Sequence, residues 1–138
     1  MLTMAGIITK EGYKRELLNF INQDMTIKLY VNDYTPTYDT VLTDLVELDS
    51  NVYTPVNITS TDWGSPVVET DRIYVQLNND ITFTFSSVPA SNNTVYGYFI
   101  VNSNNELLMV ERLSSPFTIT NSGDSITLSG ITIEILLV

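Results

Sequence analysis

The chain contains no histidine and no cysteine, and only 16% of its 138 residues are charged. Without imidazole, the common nucleophile–base dyads and His-ligated metal centres are excluded. Without cysteine there are no disulfides, thiolate ligands or thiol nucleophiles. Cations are scarce: Lys10, Lys14, Arg15, Lys28, Arg72 and Arg112 stand against sixteen acids, for a net charge of −10. A surface of that sign repels phosphate backbones, which argues against direct nucleic-acid binding. No run approaches the ~18 apolar residues that cross a bilayer as a helix, so no membrane partner is expected. The opening MLTMAGIITKEGYKR places its basic residues after a short apolar run, the reverse of a secretory leader, which leads us to expect synthesis in the cytoplasm.

What is present is 43% hydrophobic residues, with polar positions filled mainly by Asn, Thr and Ser. That mixture suits strands, turns, and surfaces that meet another surface without desolvating many charges. The length suits one domain spanning residues 1–138. Thr9, then Tyr13, Leu17, Phe20 and Ile21 on one face, predicts a helix over about residues 9–23, capped by Thr9 and ended by Asn22 or Asp24. Residues 25–31 alternate as a half-buried strand. Residues 33–51 form a long acidic connection in which Val41, Leu42, Leu45 and Val46 make one helical turn, and a loop of that length is usually functional or partner-ordered. Short strands follow at residues 53–59 (an edge, because of Pro55), 73–77 and 81–85.

Residues 94–138 carry the most information. TVYGYFIV and ELLMVERL flank NSNN, and SPFTIT and SITLSGITIEILLV flank NSGD, with apolar residues on both faces of the strands. Pairing about Ser103 and Asn104 sets Tyr98 opposite Met109, Phe99 opposite Leu108, Tyr96 opposite Glu111 and Val95 opposite Arg112. One face then holds Tyr96, Tyr98, Ile100, Leu107 and Met109; the other holds Val95, Phe99, Val101, Leu108 and Val110. One face is core and the other contact, and register alone leaves the choice open. We expect the face with Tyr98 and Met109 to be exposed in a single chain and covered in a homo-oligomer, a dimer or trimer. Tyr96, Tyr98, Ile100, Leu107 and Met109, with Tyr34, Tyr38 and Leu45 of the acidic connection, are the expected assembly interface. Ser129-Gly130 suits either the close of a second tight hairpin or a bulge in one bent strand reaching residue 137, and we favour the bent strand because ITIEILL would otherwise leave an exposed edge. The whole reads as a mainly β chain: an antiparallel, jelly-roll-like β-sandwich of seven or eight strands with one N-terminal helix.

Chemistry is sparse. Asp39, Asp44, Glu47 and Asp49 cluster in sequence, and Glu69 and Asp71 lie two apart on a possible strand. Paired carboxylates serve glycoside hydrolysis, but such clusters are more often a solvated face, so no catalytic residue is assigned. Asn78, Asn79 and Asp80, or Asp33 with Asp39, offer oxygens to calcium without the spacing of a regular binding loop, so neither a metal nor a cofactor is assigned. Trp63, near Tyr53, reads either as a sugar platform or as a core plug under its turn.

Taken in order after the helix, the blocks IKLYVNDYTPT, TDWGSP, ITFTF, TVYGYFIV, ELLMVERL, SPFTI, GDSITL and ITIEI resemble small virion structural proteins of tailed bacteriophages. The resemblance implies a non-enzymatic virion component, foremost a capsid cement or decoration protein that stabilises the head shell against the major capsid protein. A tail, baseplate or fibre-adaptor component is the second implication. A carbohydrate-binding module for host attachment is the third, and it requires Trp63 at the surface.

Overall fold

The computed structural model describes residues 1, 2 and 4–137. In chain order the elements are α1 (Lys10–Ile21), β1 (Met25–Tyr30), β2 (Val56–Ile58), β3 (Val67–Val68), β4 (Arg72–Gln76), β5 (Ile81–Thr84), β6 (Thr94–Asn102), β7 (Leu107–Thr118), β8 (Ser125–Leu128) and β9 (Thr132–Leu136), with 3-10 turns at Leu42–Asp44 and Ser60–Asp62. The chain is mainly β, and the strand pairings among the described residues are antiparallel. The contacts divide the chain into two compact units. The first comprises Met1–Gln23, Thr59–Asn79 and Gly130–Val138; the second comprises Asp24–Ile58 and Asp80–Ser129.

In the first unit, α1 packs across β4 and β9 of a three-stranded sheet ordered β3-β4-β9. Thr9 caps the helix as its sequence predicts, its Oγ1 accepting the Gly12 N–H at 3.2 Å, and Asn22 closes it. Leu17 and Ile21 are buried. Strand β4 alternates, burying Ile73 and Val75, and β9 sets Ile135 and Ile133 opposite them. Each such buried aliphatic contributes about 1.5–3 kcal/mol. On the wet side, the Arg72 guanidinium binds Glu69 and Glu134 and lies 4.2 Å over the Tyr74 ring.

The second unit holds a four-stranded sheet ordered β2-β1-β6-β7 and a two-stranded pair, β5-β8. One face of the larger sheet carries Met25, Ile27 and Leu29 of β1, with Ile100 and Tyr98 of β6 paired to the last two. The other face gathers Tyr30, Phe99, Val101 and Leu45, with Tyr34, Leu42, Tyr96, Leu107 and Val110 packed around them. Both faces are therefore covered within one chain, which is why both read as apolar.

Several expectations are corrected here. The β6–β7 hairpin pairs Tyr98 with Glu111, Phe99 with Val110, Ile100 with Met109 and Val101 with Leu107. Turn geometry sets this register: Asn105 takes a positive φ, and the Asn102 Oδ1 accepts the Asn104 and Glu106 amides at 3.0 Å. Register breaks fall between Ile100 and Val101 and between Val95 and Gly97. The first passes over Leu108 and the second sets Tyr96 against residues 113–116, and Leu107 and Tyr96 turn to the Phe99 side instead of joining Tyr98. Strand β7 continues through Pro116, tolerated because that stretch is an irregular part of an edge strand. The bent strand expected over residues 125–137 is two strands. β8 pairs with β5 and β9 with β4, and the chain breaks at Gly130, whose φ is +67°. Glu69 and Asp71 lie in the turn between β3 and β4, not on a strand.

Gly97 is tightly enclosed in the second unit. A methyl there would run into the Glu111 carbonyl oxygen and into the Tyr30 ring. Gly97→Ala should therefore cost at least about 1–3 kcal/mol in a denaturant titration. Gly6→Ala, where nothing lies within 4 Å, should stay within about 0.5 kcal/mol of the parent.

Candidate interaction surface

The acidic connection of the second unit is ordered by its own polar groups. Tyr30 reaches over Gly97 and donates its hydroxyl to the Tyr34 carbonyl at 3.1 Å, and Arg112 donates to the same oxygen at 3.1 Å. Arg112 also pairs with Asp33 at 2.7 Å and stands 5.2 Å over the Tyr96 ring. Farther along, the Asn32 amide spans to the Asp44 carbonyl and the Val46 N–H. Glu47 takes Lys28 at 3.2 Å and the Tyr53 hydroxyl at 2.9 Å. Between these anchors the chain turns at Thr37–Thr40, closed by Thr40 N–H to the Thr37 carbonyl and by Thr37 N–H to the Thr40 Oγ1. The turn presents Tyr38 wholly to solvent, with exposed Asp39 beside it.

A second exposed apolar feature lies in the first unit. Met1, Leu2, Met4 and Ile7 stand almost wholly in solvent, and Ile8 is half exposed. Helix α1 follows with an open trough of about 450 Å³ on its outer face, lined by Glu11, Gly12, Lys14, Arg15 and Leu18. The sequence alone assigns a role to neither. The available signal was an apolar run before α1 with no periodicity, followed by half of the chain's cations.

The expected interface residues separate. Tyr98 and Ile100 are 3% and 0% exposed, and Leu45 is buried, so these three are core, contrary to expectation. Tyr34, Tyr96, Leu107 and Met109 are half-buried. Tyr38 alone among the eight is fully presented. The physical reason is that the acidic connection folds back over one side of the hairpin, through Leu45, Leu42 and Tyr34.

The carboxylates act mainly as local braces. Asp44 accepts the Val41 amide at 2.9 Å, Asp62 the Thr59 amide at 2.7 Å, and Asp124 the Thr120 and Asn121 amides at 3.0 Å. Those amide bonds hold the Asp124 carboxyl below its ordinary range. Among the described residues no three His, Cys, Asp or Glu side chains gather closely enough to hold a metal ion. Trp63 is 5% exposed, so it plugs its turn and provides no sugar platform.

Comparison with known proteins adds no relative: no family model, curated protein or solved structure matches this chain.

Two buried tyrosines give measurable consequences. Tyr53 accepts the buried Leu29 N–H at 3.2 Å, and Tyr53→Phe should cost about 1–3 kcal/mol by leaving that donor unpaired. Tyr98 donates to Glu111, and burial, with that carboxylate second, pushes its hydroxyl above the ordinary tyrosine range. The fold therefore keeps a proton that the unfolded chain releases above about pH 10. Stability is intact below that pH and declines above it. Urea midpoints measured from pH 8 upward should fall less steeply for Tyr98→Phe, by up to about 1.4 kcal/mol per pH unit.

Proposed function

We propose that this chain is a non-enzymatic virion structural protein, in the first place a cement or decoration protein that stabilises a phage head through contacts between subunits. The observation that carries the reading is the exposed apolar segment before α1, where Met1, Leu2, Met4 and Ile7 lack any cover. Contiguous exposed apolar surface marks a place where another molecule binds. Burying Leu2, Met4 and Ile7 on a neighbouring subunit desolvates no charged side chain, because the first of these in the sequence is Lys10. The acids support the same reading, since Asp44, Asp62 and Asp124 brace turns, Asp33, Glu47, Glu69 and Glu134 pair with cations, and among the described residues no three acids gather. The assignment to a phage virion rests on the resemblance of the sequence blocks given above.

The test is to incubate purified chain with tailed-phage heads that lack it and to locate it by electron microscopy. The expected result is regular occupancy of the outer shell, lost when residues 1–8 are deleted while the circular dichroism of the body is unchanged. Density on the tail or baseplate instead would overturn the cement role and favour an adaptor. Absence from both would overturn the virion reading.

A further inference from the structure

We infer that the outer face of α1 is the docking site for the Tyr38–Asp39 turn of a second copy of this chain. The inference rests on the assembly reading and names the partner. Charge is divided unevenly along the sequence. Residues 1–23 hold Lys10, Lys14 and Arg15 against Glu11 and Glu16, a net of +1, which leaves −11 for the remainder of a −10 chain. Residues 33–51 carry five acids, Asp33, Asp39, Asp44, Glu47 and Asp49, and no cation. The α1 trough is the complementary surface, with Lys14 and Arg15 beside Leu18 outnumbering the one acid of its lining, Glu11, and with the Ile8 side chain closing the space at Gly12.

The turn is built to be inserted. Thr37 and Thr40 close it through two hydrogen bonds, Asp39 N–H is held by the Thr37 Oγ1 at 3.2 Å, and Asp44 fixes the Val41 amide behind it. A loop already held in one shape loses little entropy on binding. Its exposed side chains are an aromatic ring with a polar end and a carboxylate that accepts no hydrogen bond among the described residues. Asp33, Asp44 and Glu47 are by contrast spent inside their own chain. In the trough, Tyr38 would cover Leu18 and lie under the Arg15 or Lys14 cation, while Asp39 would neutralise the other. Tyr is among the residues that most often dominate such contacts.

Sedimentation equilibrium of the full chain tests this. Self-association is expected, weakening as salt rises, because the screening length is only about 10 Å at 0.1 M. Lys14→Glu with Arg15→Glu should raise the dissociation constant at least about tenfold, and Tyr38→Ala with Asp39→Lys should do the same. Equal thermal midpoints would show that both variants remain folded. The decisive arm mixes them: the first retains an intact turn and the second an intact trough, so a one-to-one complex should form that neither makes alone. Association unchanged in both variants overturns the docking pair while leaving the assembly reading standing. A chain monomeric to ~1 mM also overturns it, as does capture of anionic vesicles through Lys14 and Arg15 without self-association. Failure of head binding with self-association intact would instead strike the virion reading.

Discussion

At Gly97 the sheet has no side chain, and the Tyr30 ring occupies that space against the Glu111 carbonyl. From there the Tyr30 hydroxyl reaches the Tyr34 carbonyl, where the Arg112 guanidinium also donates. One missing side chain thus lets an aromatic ring lie flat on its own sheet and tether the start of the acidic connection. Everything distal to Tyr34 depends on that tether. The Leu42 and Leu45 contacts over Phe99 and Val101, the Glu47 anchor, and the braced turn that lifts Tyr38 into solvent all follow it in the chain.

The polar economy of the molecule follows from its composition. With six cations and sixteen acids, most carboxylates have no side-chain counter-charge available. Asp44, Asp62 and Asp124 take backbone amides instead, which are partly positive, held in place and always at hand near a turn. Acids used in this way stabilise loops without meeting one another. The same scarcity makes Lys10, Lys14 and Arg15 conspicuous on α1, since they are the largest local excess of positive charge in the sequence. Electrostatic complementarity of this kind steers encounter and fixes orientation more than it adds affinity. The apolar groups, Tyr38 and the residues before α1, are left to supply that affinity.

How much was legible varies with the range of the interaction involved. The cap at Thr9, the buried Leu17 and Ile21, the alternation of β1, β4 and β5 and the helical turn near residue 42 are local, and the sequence reading placed each within a residue or two. The β6–β7 register differs from the expected one by two residues at Tyr98 and Phe99 and by five at Val95, because Asn105 takes a left-handed conformation and the ladder breaks twice, neither of which a hydrophobic pattern records. Tyr98, Ile100 and Leu45 are core instead of interface for a related reason. Two apolar faces on one hairpin were taken to need a second molecule, and the chain covers both itself. The apolar residues before α1 enter the sequence reading only as the reverse of a leader, because they lack any period, and no element of the fold includes them.

Composition and local pattern by themselves determined that this is a mainly β chain with one capped helix, poor in cations and lacking imidazole and thiol chemistry. They also marked residues 33–51 as a segment to watch. Only the tertiary structure decided which apolar surface is core. Burial is a property of what folds back on a strand, and here the acidic connection does so from more than fifty residues away in sequence. It decided too that Trp63 is a plug, that SITL and TIEIL belong to different sheets, and that Tyr38 is the expected interface residue left bare. Those outcomes depend on long-range contacts, which carry no periodic signature in the sequence.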